Sequence, residues 1–252
     1  MDARSETAPG TPADVSPDEV PAPPRQRWRL VLARSAGAPE LAGRELIDVW
    51  ETAVEESGLP LFRPVGRVRG RIAFGAPIPA KLEVERELAD ILLTEFVPTW
   101  RVREGLTGHL PDGWRLVDLY DVWLGSPALA GQVAAADYRI RVTGADGPAL
   151  AAGAAQLLAS AELSRERQKG GAAVRYDLRP LLVDIGVVDH DPPASLKART
   201  RFHPVLGTGR PEEVVATLGD AVGAQLVVTS IVRERLILAE EQDQGAVDHA
   251  FD

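Results

Sequence analysis

Bulky apolar residues recur along the chain with two periods, and the period changes mark the elements. In 27–34, "RWRLVLAR", Trp28, Leu30 and Leu32 alternate with charged or smaller neighbours, the period-2 signature of a strand. In 40–57 the residues Leu46, Ile47, Trp50, Ala53 and Val54 fall on one helical face, and Gly58 closes the helix. Strand signals follow at 69–76 and 86–96. Pro98 opens a short helix ending near Gly108, and 113–123 is a strand entered through Asp112-Gly113. The order β-α-β-β-α-β then repeats. Strand 137–144 leads through Asp146-Gly147-Pro148 into an Ala-rich helix, with Pro in the first turn where its missing N–H costs little. Strand material at 161–168 and 173–183 is split by Lys169-Gly170-Gly171. Strand 196–205, a helix over 211–222 and strand 225–238 complete the second set.

Two βαββαβ sets predict an α+β fold: two tandem ferredoxin-like units, each with an antiparallel sheet covered by two helices. The expected organisation is a disordered tail over 1–24, a first unit over 25–128, a second unit with a hairpin insertion over 129–239, and an acidic disordered tail over 240–252.

Charge sharpens this division. The formal net charge is −9, but residues 1–24 carry −4 and residues 240–252 carry −5, so the central part is neutral. Both tails are poor in bulky apolar residues and cannot offset the entropy of ordering. The chain has no Cys, which removes thiolate nucleophiles, Cys zinc sites and iron–sulfur ligation by this chain. No apolar run approaches membrane-spanning length, and the start lacks the charge pattern of a secretory signal. The expectation is a cytoplasmic protein with no membrane association, no cofactor and no metal.

Against the neutral middle, three stretches stand out as basic. They are 63–71 with Arg63, Arg67, Arg69 and Arg71; 165–179 with Arg165, Arg167, Lys169, Arg175 and Arg179; and 197–210 with Lys197, Arg199, Arg201 and Arg210. The i, i+2 spacing of Arg67, Arg69 and Arg71, and of Arg199 and Arg201, puts each set on one face if the segment is a strand. Aligned Arg on a sheet face can track phosphates, which points to RNA. The same residues also serve as charged edge positions that block aggregation. Phe74, Tyr176 and Phe202 are interleaved with these stretches and serve equally as stacking partners or core.

Few catalytic motifs are present. His203, on a basic strand, is the candidate general acid–base, with no second partner in view. "GTGRPEE" (207–213) feeds a helix N-terminus, but Glu212 and Glu213 complement the dipole and would repel phosphate, so it reads as a turn and cap. There is no P-loop, nucleophile elbow or dinucleotide fingerprint.

"GLPLFRPVG" (58–66), "RIAFGAPIP" (71–79), "LPDGWRLVDLYDVWLGSPALAGQVAAADYRI" (110–140), "RERQKGGAAVRYDLRPLL" (165–182) and "GTGRPEEVVATL" (207–218) occur in one order. Over roughly 27–238 the chain resembles the radical-SAM-associated (radical-SAM-linked) family of uncharacterised function. The resemblance implies a partner, a radical S-adenosylmethionine enzyme encoded alongside. Two His-containing stretches usual in that family are absent: residues 42–45 read Ala-Gly-Arg-Glu, and 66–71 read "GRVRGR". The expectation is a non-catalytic, RNA-binding accessory protein. The alternatives are a ferredoxin-like RNA-processing enzyme using His203, or a protein–protein adaptor without nucleic acid.

Overall fold

The computed structural model describes residues 22–169 and 171–241. The tail readings fall largely outside the described residues, as does the Lys169 side chain. The first half runs β1 (Gln26–Arg34), α1 (Gly43–Glu56), β2 (Ile72–Phe74), β3 (Glu83–Leu93), α2 (Thr99–Thr107) and β4 (Trp114–Asp121). A one-turn helix, α3 (Leu129–Gln132), leads into β5 (Val133–Thr143) and α4 (Gly147–Ala159). The hairpin β6 (Ser164–Lys169) and β7 (Ala172–Asp177) follows. Then come β8 (Leu182–Asp189), β9 (Ala194–His203), β10 (Gly207–Thr208), α5 (Pro211–Val222) and β11 (Val227–Leu238).

The fold is mixed α+β with a mostly antiparallel sheet. In the first half the strands lie in the order β4-β1-β3-β2, and in the second β11-β5-β9-β8, with every neighbouring pair antiparallel. The expected separate sheets are not what forms. Parallel pairing of Val232 with Glu83 and Arg233 with Val84 joins β11 to β3, giving one nine-stranded sheet. The physical gain is that two strand edges, which would otherwise present unpaired N–H and C=O groups, close on each other.

Register shows which face carries the core. Leu30 pairs with Ala89, Trp28 with Ile91 and Ile140 with Leu196, and all are buried. The apolar stripes of the helices, led by Trp50, Leu106, Leu150 and Leu218, merge with these into one core, so the helices of both halves cover the same face. Trp50 and Trp114 meet edge-on with centroids 5.1 Å apart. At the join, the Arg233 guanidinium donates to Glu87, both side chains buried on that helix-covered face.

Three sequence expectations need correction. Residues 67–71 form no strand: strand structure there is confined to 72–74. The strand expected over 173–183 is two, because Leu178 and a 3₁₀ turn over Arg179–Leu181 break it. The strand expected at 86–96 lies at 83–93, because its N-terminal end reaches out to pair with β11.

Candidate nucleic-acid interface

The basic stretches do not converge on one surface. In the loop before β2, Arg67 donates to Glu51 of α1 at 2.8 Å, Arg69 donates to Thr52 at 2.8 Å, and Arg63 pairs with Glu55. Glu55 also accepts from the Gly70 N–H at 3.0 Å. Partial burial of Glu55 works against its ionisation, but the Gly70 N–H and Arg63 outweigh this and hold its carboxyl below the usual range. The loop is thus clamped to α1, and Arg71 is exposed beside it.

The β6–β7 hairpin is tied to α5. Arg165 reaches Glu213 at 3.3 Å and Asp220 at 2.5 Å. Arg167 stacks over Tyr176 at 4.8 Å. Arg175 stands in solvent, 4.0 Å from Glu166. Arg179 does not share a strand face with Arg175. Its guanidinium donates to the carbonyls of Leu158, Ser160 and Leu182, closing the C-terminal end of α4, where carbonyls lack helical partners.

Lys197, Arg199 and Arg201 lie on the opposite side of the sheet. Their strand neighbours Leu196, Ala198 and Thr200 are buried among the helices, so the cations project from the uncovered face. On the adjacent strand the same alternation sends Asp137, Arg139 and Arg141 to that face. The sequence reading missed Arg139 and Arg141. Their alternation in "DYRIRVT" was visible, but their position beside β9 depends on strand order.

The face is partly self-neutralised. Asp137 receives both Arg199 nitrogens, at 2.6 and 3.0 Å, and Arg235 at 2.9 Å. Partial burial opposes ionisation of Asp137, but these hydrogen bonds hold its carboxyl below the usual range. Arg139 is engaged by Glu85 and Glu234. It also sits directly opposite Lys197 in the register, a like-charge placement that costs stability unless an anion lies nearby. Arg141, Lys197 and Arg201 have no ion pair among the described residues.

His203 ends β9. Its Nδ1 accepts the backbone N–H groups of Val205 at 3.2 Å and Leu206 at 3.1 Å, so the ring caps a turn and only Nε2 remains for other contacts. In the "GTGRPEE" segment Gly207 and Thr208 form β10, with the turn just upstream at 204–206, and Pro211–Glu213 are the first residues of α5. Among the described residues no group of three or more potential metal ligands comes together, and no helix is long and apolar enough to cross a membrane.

On the helix side, two hollows of about 460 and 740 Å³ meet at Pro77 and Pro79, between the helices of the two halves. The smaller is floored by Tyr138 and Arg233 and bordered by the start of α5. Burial pushes the Tyr138 hydroxyl up from its ordinary pKa, against the pull of Arg233.

Comparison with solved structures finds a chain in "Crystal Structure of a Cbf5-Nop10-Gar1 Complex". It is similar at TM-score 0.48 and 8% identity, over 82% of this chain. This chain matches only 49% of that one's length, and a likeness at this level carries no functional argument. No curated protein matches the sequence. Residues 41–214 match the family described as "Uncharacterized protein conserved in bacteria (DUF2344)", and the chain belongs to that family.

Proposed function

We propose that this protein is a non-catalytic recognition module that binds RNA along the uncovered sheet face of its second half and serves a separate radical S-adenosylmethionine enzyme. The observation that carries the RNA reading is the trio Arg141, Lys197 and Arg201, on adjacent strands of one open face and without an ion pair among the described residues. Two ferredoxin-like units are part of the proposal. Its support is the order fourth, first, third, second, all antiparallel, found in each half. The partner enzyme enters through the family resemblance alone.

The test is binding of the full chain to a fluorescein-labelled 15-nucleotide single-stranded RNA across a salt series. Three phosphate contacts predict a slope of log K against log salt of about −2. Replacing Lys197 and Arg201 by Glu should weaken binding by an order of magnitude or more and flatten the slope. Binding that is absent at low ionic strength, or unchanged in the double variant, sinks the RNA reading. Co-purification of a radical enzyme without nucleic acid would favour the adaptor instead.

A further inference from the structure

We propose that the 460 Å³ cavity between the two halves binds a keto nucleobase, one that presents a carbonyl beside a ring N–H. The cavity lies on the helix-covered side of the sheet, opposite the cationic face, so this goes beyond the RNA reading and does not depend on it.

The first observation is Tyr138. Its side chain is 3% exposed and lines the cavity floor, with its hydroxyl beside the Arg233 guanidinium. A guanidinium has donors only. It can donate to the phenol oxygen but cannot accept the phenol's proton, and the O–H finds no acceptor among the described residues. Lining the cavity, that O–H is a donor available to whatever fills it.

The second observation is at the rim. Arg210 caps α5 without a side-chain hydrogen bond to its first turn, and Pro211 follows it. Neither Arg210 nor Glu212 has an ion-pair partner among the described residues, although both line the cavity. Of the other charges there, Glu213 pairs with Arg165 and Arg233 pairs with Glu87, though Arg233 Nε and Glu87 Oε1 stay buried without a hydrogen-bond partner among the described residues. At the exposed rim stand one donor cation and one acceptor anion without an ion-pair partner among the described residues. This balance disfavours a phosphate, which Glu212 would repel, and equally a simple cation. It suits a net-neutral group whose edge both accepts and donates. The carbonyl takes the Tyr138 O–H and the Arg210 N–H, and the ring N–H goes to Glu212.

The third observation is the wall. Pro77, Pro79, Leu82 and Phe202 give the cavity apolar surface beside those polar groups. Such a wall holds a flat ring, and apolar walls with a few convergent polar groups are the usual form of a small-molecule site.

The experiment titrates the full chain by calorimetry with uridine, guanosine, cytidine and adenosine. Glu212→Gln and Tyr138→Phe are compared, and thermal unfolding confirms that both variants are folded. Saturable binding of uridine or guanosine, at least tenfold tighter than cytidine and adenosine, is expected. Glu212→Gln should weaken it tenfold or more, and Tyr138→Phe several-fold. A parallel arm uses U₁₅ and C₁₅. A Glu212-dependent preference for U₁₅ with no nucleoside binding identifies a base within a strand; nucleoside binding identifies the free molecule; both support the site. Equal response to all four bases, or no effect of Glu212→Gln on either arm, overturns it. Nucleoside binding without salt-dependent oligonucleotide binding leaves this site standing and removes the RNA reading.

Discussion

The two halves of the sheet carry arginines on the same uncovered side, and they use them oppositely. In the first half, Arg27 and Arg29 flank Asp90. Arg27 donates to it at 2.8 and 2.5 Å and Arg29 at 2.8 and 3.1 Å. Arg27 also holds the carbonyls of Ser126 and Pro127, which brings the segment between β4 and α3 down over the group. The side chains are 8%, 4% and 6% exposed. In the second half the analogous Arg199–Asp137–Arg235 cluster has no such cover, and Arg199 and Arg235 remain 37% and 52% exposed. An Arg–Asp–Arg group on the same side of the sheet, with its arginines at i, i+2 on one strand in the first half and on the two strands flanking β5 in the second, is therefore a buried latch in one place and a solvated surface in the other. The covering segment, not the residue type, decides which.

The sharpest break of this comparison is to remove the central acid from each cluster. Asp90→Ala strands two buried guanidinium groups and should cost about 3–5 kcal/mol. In a protein of this size that lowers the melting temperature by roughly 10 °C. Asp137→Ala, at a half-exposed cluster, should cost about 1 kcal/mol or less. Equal losses in thermal unfolding would show that the two clusters are not differently covered.

A smaller effect is expected at Arg179, which serves neither cluster. Arg179→Ala removes two hydrogen bonds to carbonyls at the end of α4 and one to the Leu182 carbonyl at the start of β8, and should cost about 1–3 kcal/mol, without changing RNA affinity. A loss of affinity at unchanged stability would return this arginine to the binding surface.

The smallest effect is a pH dependence. The Asp137 carboxyl is held below its ordinary value, so its contribution is present above the unfolded value of about 3.9 and is lost as pH falls through the lower folded one. The stability difference between the native chain and Asp137→Asn should therefore shrink on going from neutral pH towards pH 3. A difference constant with pH in denaturant titrations would mean that the carboxylate contributes nothing through its charge.

Much of the fold was legible in the chain because the signals were local. The apolar alternation of β1, the stripe of α1, and Pro148 and Pro211 in the first turns of α4 and α5 all act within a few residues. The candidate site was legible only in part. Alternation put Arg199 and Arg201 on one face, as β9 does, but it gave the same reading to Arg67, Arg69 and Arg71, which lie in a loop held by α1. Arg139 and Arg141 joined the cationic face only because β5 pairs with β9.

What the sequence by itself determined is therefore most of the longer elements, their order and the neutral charge of the folded part. These depend on periodicity and on backbone preferences of Pro and Gly, which need no distant partner. The tertiary structure decided which charges are spent on one another. That depends on strand order and on the parallel join of β3 to β11, which set residues some 150 positions apart, such as Glu87 and Arg233, in direct contact. Coulomb interactions and desolvation act over a few ångströms in space, whatever the distance along the chain.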